Sequence, residues 1–308
     1  FTYVKEEIGR ADLAIANLEV TLGGKPYKGY PAFSAPDEFL TAIHDAGFNV
    51  LVTANNHSLD RGKSGLERTI QLIDSLKIPH AGTYINTEER DKKYPLLLEK
   101  NGFRIALLNY TYGTNGIPVT PPNIVNYIDT TVIAKDIEES KAMKPDAIIA
   151  CMHWGIEYQS LPDKEQKFLT DWLLRKGVNH IIGCHPHVVQ PIEVREDSLT
   201  NEKHLVVYSL GNYISNMSAR RTDGGLMVKM KLVKDSTTRL NHCEYSLVWT
   251  ARPVQSKKKN HQLLPINFPT DSISVNARNS LRIFANDARS LFSKHNRGIK
   301  EYLFYKKK

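Results

Sequence analysis

The chain has 308 residues, 41% of them hydrophobic, enough to bury a large core in one big domain or two smaller ones. Its formal charge of +8 and pI near 9.2 favour an acidic partner, yet the excess is diffuse: only Lys257-Lys258-Lys259 and Lys306-Lys307-Lys308 form runs, and such runs are more often solvated faces or chain ends than binding patches. Cys151, Cys184 and Cys243 form no CxxC pair, which excludes a zinc ribbon and a disulfide framework, and no apolar stretch is long enough to span a bilayer.

The sequence opens on Phe1-Thr2-Tyr3-Val4-Lys5-Glu6-Glu7 with no signal peptide before it and already in a helical pattern, so a missing upstream segment is expected. Apolar runs then predict strands over residues 13–16, 50–53, 105–109, 147–152, 180–183 and 205–210, and amphipathic segments predict helices over 37–46, 65–76, 131–143 and 164–176. This alternation implies an α/β architecture with helices layered on sheets. Lys100-Asn101-Gly102-Phe103 joins two apolar runs through an Asn-Gly pair, a hairpin signal, so part of the sheet is antiparallel. From about Gly224 the pattern changes: residues 226–233 and 244–250 alternate as edge strands do, 255–262 form a polar linker, and 275–292 form a closing helix. Residues 1–235 are expected to be the main domain and 236–308 a C-terminal extension packed on it.

The chemistry-bearing residues sit where the predicted strands end. Asn17-Leu18-Glu19, Asn55-Asn56-His57, His153 and Gly183-Cys184-His185-Pro186-His187 each follow an apolar run, and side chains from the carboxyl ends of strands converge on ligands in α/β sheets. No GxSxG elbow, P-loop or strand-following GxGxxG is present, and no module for nucleic acid. Of the 11 histidines, His44, His80, His180, His204, His242, His261 and His295 read as surface or hydrogen-bonded core residues. His153, His185 and His187 read as metal ligands, with Glu19 and Asn56 as oxygen donors suited to Zn, Mn or Fe, although Asn and Glu at strand ends also cap their own loops. His57 is placed to protonate a leaving group or to brace the Asn-Asn turn. The loop 111–118, with Tyr112, suits a substrate-facing wall as well as an ordinary connection.

Together with Tyr208-Ser209-Leu210-Gly211-Asn212-Tyr213, these motifs resemble, in order and from about residue 10 to 235, those of the CapA capsule-synthesis or poly-γ-glutamate biosynthesis proteins of the calcineurin-like metallophosphoesterase superfamily. The resemblance implies two mixed β-sheets packed as a sandwich and flanked by helices, with a dinuclear centre of divalent transition metal. Carried over, Glu19 is the bridging carboxylate, Asn56, His153 and His185 hold the second metal, His187 holds the first, and His57 is the general acid. Asn55, Arg61 and Asn212, in the same motifs, are expected to contact substrate. The superfamily's Asp-x-His is absent, so the first strand is expected to be missing and the chain as given to hold one metal and hydrolyse weakly. The implied substrate is phosphorylated or an anionic polymer, handled at the cell envelope, outside the cytoplasm and with a membrane anchor in the missing segment. A non-catalytic envelope protein that helps assemble or export an acidic capsule polymer is the alternative.

Overall fold

The computed structural model describes residues 1–269, 271 and 273–305, so the run Lys306-Lys307-Lys308 lies outside it. The first elements along the chain are α1 (Lys5–Ile8), β1 (Ile15–Asn17), α2 (Asp37–Asp45), β2 (Val50–Val52), α3 (Gly62–Ser75), β3 (His80–Ala81), β4 (Thr83–Tyr84) and α4 (Thr87–Lys93). There follow β5 (Leu96–Lys100), β6 (Phe103–Thr111), β7 (Ile124–Val125), α5 (Thr130–Ala142), β8 (Ala147–His153), α6 (Lys164–Arg175), β9 (His180–Cys184), β10 (Ile192–Glu196) and β11 (Lys203–Val207). The last are β12 (Gly224–Lys234), β13 (Thr238–Ala251), α7 (Pro253–Ser256), β14 (Gln262–Pro265), α8 (Val275–His295) and β15 (Lys300–Glu301). The architecture is mixed α/β with several sheets, and every helix and strand expected above is present with shifted ends.

The chain divides into two compact units, an N-terminal one of Ile8–Trp154 with Arg175–Val178, and a C-terminal one of Phe1–Glu7, Gly155–Leu174 and Asn179–Lys308. In the N-terminal unit β1, β2 and β3 pair in parallel, so β1 and β2 end side by side at Asn17 and Val52. Beside them β6 pairs in parallel with β8, from Ile105 with Ala147 to Thr111 with His153. All seven residues of β8 are buried, which explains its unbroken apolar run: a strand covered on both faces has no polar side to alternate with. Asn101 and Gly102, at φ 51° and 79°, close the β5–β6 hairpin, with Lys100 opposite Phe103. Two consecutive positive φ angles match the twist of the flanking strands.

In the C-terminal unit β9 pairs in parallel with β11, which pairs antiparallel with β10. The edge-strand expectation fails for residues 244–250. They lie in β13, which pairs with β12, β14 and β15. Period-two alternation reports that one face is covered and says nothing about lateral neighbours. The covering element is α8, whose Leu281, Phe284, Ala288 and Phe292 join Leu247, Trp249 and Leu226 in one buried cluster. Ser274 starts α8 by accepting the Ala277 N–H on its hydroxyl. Cys151 and Cys243 are buried and in no disulfide, and burial pushes the Cys151 thiol up to about 12, an inert core residue.

One polar residue interrupts the apolar interior of β6. Asn109 is 1% exposed, and its Oδ1 accepts the backbone N–H groups of Thr53 (3.2 Å) and Ala54 (2.8 Å) while its Nδ2 donates to the Cys151 carbonyl (3.0 Å). It thus ties the chain leaving β2 to β6 and β8. Gly82 makes room: a Cβ there would lie 2.2 Å from Asn109 Oδ1. Replacing Asn109 by Leu orphans the buried Ala54 N–H, while the Thr53 N–H keeps the Ala81 carbonyl at 2.9 Å, so urea denaturation should show a loss of about 1–3 kcal/mol, and a loss below about 0.5 kcal/mol would refute the clamp.

Candidate functional site

The predicted site residues form two donor clusters, one within each unit. In the N-terminal unit β1 is followed by Glu19, β2 by the loop 53–61, and β8 ends on His153. Asn56 Oδ1 lies 2.8 Å from His153 Nε2, and Glu19 Oε1 lies 3.9 Å from the same nitrogen. The Asn56 amide orientation follows from its other end, where Nδ2 donates to Asn115 Oδ1 at 3.1 Å. Glu19 Oε2 accepts from Asn17 Nδ2 at 2.9 Å. A carboxylate, an amide oxygen and a fully buried imidazole therefore meet around one point. This donor set suits a divalent transition metal.

His57 occupies the same loop with a different partner. Its Nδ1 lies 2.7 Å from Asp60 Oδ2, an oxygen that also accepts the Phe33 N–H at 2.8 Å. The Phe33 ring meets the imidazole edge-on at 4.7 Å. A carboxylate on Nδ1 keeps the proton there and leaves Nε2 as the exchanging atom.

The residues expected at substrate are placed as follows. Asn55 is fully buried; its Nδ2 donates to the Leu18 carbonyl at 2.8 Å and to Asn17 Oδ1 at 3.2 Å, and its Oδ1 accepts the His57 N–H at 3.1 Å. It thereby joins the end of β1 to the loop after β2. Arg61 is half-buried at the start of α3, its stem over Gly65, where a Cβ would lie 2.3 Å from Arg61 Cβ. Tyr112 is 48% exposed with its ring parallel to that of His153, centroids 6.3 Å apart.

In the C-terminal unit the segment after β9 carries His185, buried, and His187, half-buried. Both are non-glycine residues with left-handed backbone, at φ 104° and 60°, a conformation costing about 1–3 kcal/mol that persists where surroundings enforce it. Asn212 holds His187: its Nδ2 donates to the Thr222 carbonyl at 2.8 Å, so the Oδ1 that lies 3.0 Å from His187 Nδ1 accepts a proton from the ring. Asn212, expected at substrate, is in contact with a proposed ligand.

Glu157 was not anticipated from the sequence. Its carboxylate and the ring nitrogens of His185 and His187 lie within 4.8 Å of one another. The signal was its place two residues beyond His153-Trp154-Gly155, in the same strand-end segment. Of the histidines read as surface or core residues, His44, His242 and His295 are exposed, and His180, buried, accepts the Leu205 N–H on Nδ1 at 3.0 Å. Burial lowers His180 to about 3, so its ring is neutral.

The sequence matches the model of the bacterial capsule synthesis protein family PGA_cap over residues 1–217. The chain belongs to this family. It is 28% identical over 254 residues to the capsule biosynthesis protein CapA of Bacillus anthracis, covering 78% of this chain and 59% of that one. It is 30% identical over 206 residues to the PGA biosynthesis protein CapA of Bacillus subtilis, covering 66% and 52%. The chain thus spans little more than half the length of these relatives. Among solved structures, the Haemophilus influenzae NAD nucleotidase NadN superposes with a TM-score of 0.52 at 12% identity, covering 96% of this chain and 56% of that one. The fold is the metallophosphoesterase-like one expected. No helix among the described residues is long and apolar enough to cross a membrane.

Tyr112 is half exposed, and its backbone N–H, which donates to the His153 carbonyl at 3.0 Å, does not depend on the ring. Tyr112→Ala should therefore shift the melting temperature by no more than about 2 °C; a larger drop in calorimetry would make the ring a packing element.

Proposed function

We propose that this chain acts in capsule biosynthesis at the cell envelope through a metal-dependent phosphoesterase-type site. The observation that carries this reading is the meeting of Glu19, Asn56 and His153 around one point, at 2.8 Å and 3.9 Å from a single imidazole nitrogen. The Bacillus relatives are a capsule biosynthesis and a PGA biosynthesis protein, which supports an acidic capsule polymer, poly-γ-glutamate by the resemblance, or a phosphorylated substrate.

Divalent Mn, Zn or Fe would be held by Glu19, Asn56 and His153 in the N-terminal unit and by His185 and His187 in the C-terminal one. When bound, such ions supply Lewis acidity that activates water and offsets phosphoryl charge. The chain's own groups do the rest. Asp60 holds His57 Nδ1 so that the opposite ring nitrogen can deliver a proton to the leaving oxygen, Phe33 braces that pair, and Asn55 fixes the loop on which they stand. Asn212 fixes the His187 tautomer, as partners of ligating imidazoles do.

The formal charge of +8 favours a second reading, in which the same residues serve only to grip an acidic polymer. Chelator-stripped protein reloaded with manganese or zinc should retain metal by elemental analysis, and His153→Ala and His185→Ala should each lower the content; unchanged content in either variant removes that residue's assignment. With an aryl phosphate, His57→Ala should lower the rate by about 10²–10⁴, the usual contribution of a general acid. Negligible rates from metal-loaded protein before and after substitution would favour the gripping role.

A further inference from the structure

We infer that Glu157 is a metal ligand alongside His185 and His187, giving a two-histidine, one-carboxylate cation site in the C-terminal unit; the inference rests on the metal-dependent reading above. Three observations carry it. The first is the tautomer of His187. Because Asn212 Nδ2 is committed to Thr222, the ring donates to Asn212 Oδ1 from Nδ1 and Nε2 is its outward nitrogen. That nitrogen faces Glu157 Oε1 at 3.9 Å. That distance is too long for a hydrogen bond, whereas two ligands on bonds of about 2.0–2.2 Å to one ion stand roughly 3–4 Å apart.

The second is backbone strain spent on this juxtaposition. Tyr158, directly after Glu157, has φ 66°, and its N–H donates to the Pro186 carbonyl at 2.8 Å, between the two histidines. With His185 and His187, three non-glycine residues of one cluster are left-handed. Such conformations persist only where the surroundings enforce them, and they collect at functional sites. Gly155, at φ 87°, brings the segment in against Gln166, where a Cβ would lie 2.7 Å from the amide carbon.

The third is exposure. The Glu157 side chain is 43% exposed and that of His187 13%, so three protein ligands would leave open positions, as in sites that meet substrate. Two imidazoles and one carboxylate suit zinc or ferrous iron.

The test is cobalt(II) titration of the metal-stripped chain, followed by calorimetry and visible absorption. Glu157→Gln should weaken binding at least tenfold and alter the cobalt spectrum while leaving the metal-free melting temperature unchanged, and Glu165→Gln, an exposed acid on α6, should change nothing. If Glu157→Gln binds as the unsubstituted chain does while His185→Ala loses cobalt, the inference is overturned and the metal-dependent reading stands. If the unsubstituted chain binds no cobalt, both fall. Should Glu157→Gln lower the metal-free melting temperature, Glu157→Asp decides: a restored carboxylate must recover part of the affinity, and no recovery overturns the ligand role.

Discussion

A single buried amide governs the N-terminal half of the donor set. Asn109 sits inside an apolar strand where an unsatisfied amide would cost several kcal/mol, and it is satisfied only by capturing two backbone N–H groups of the segment after β2 and a carbonyl of β8. That capture starts the loop at a fixed point. Asn55 and Ser58 then close it: Ser58 Oγ accepts the Asn55 N–H at 3.0 Å and donates to the Thr53 carbonyl at 2.7 Å. Asn56 and His57 emerge from the loop these bonds hold, and their side chains meet His153 and Asp60 in turn. The polar network is costly if broken and rigid when complete.

The C-terminal half is organised by conformational strain instead. β9 ends at Cys184, and the next residues turn sharply through two left-handed histidines. Glycine would adopt this backbone freely but offers no ligand. The chain therefore places imidazoles where the backbone resists them, and offsets the strain with the Tyr158–Pro186 hydrogen bond and the Asn212 brace. Strain retained in this way is more informative than strain alone, since each strained residue carries a donor or touches one.

Much of this was legible in the sequence because strands announce themselves by apolar runs and their ends by polar residues. The runs ending at His153 and before His185 gave both the strands and the imidazoles at their ends, and Asn101-Gly102 gave the hairpin. Other features were hidden for physical reasons. Alternation in residues 244–250 encodes a covered face, so the central place of β13 could not be read from it. Asn109 looked like part of an apolar strand because its partners are backbone atoms more than forty residues away in sequence, at Thr53, Ala54 and Cys151. Glu157 lies past the strand end in a turn whose direction depends on Gly155 and Tyr158, and exposed acids are too common in sequence to single out.

What distinguishes the histidines is the atom each ring is given to face. His180 faces a backbone N–H and is left as a neutral acceptor in the core. His57 faces a carboxylate, which holds a proton on Nδ1 and readies the ring for proton transfer. His153 faces an amide oxygen and, farther off, a carboxylate, two acceptors gathered at one nitrogen. His187 is turned by an amide so that its Nε2 points at another carboxylate. A nitrogen surrounded by oxygens that cannot donate protons calls for a cation, either a proton or a metal. Within one α/β chain the same side chain is thus set as packing or, on the proposed reading, as acid or ligand, according to whether its neighbour donates, accepts once, or accepts from more than one direction.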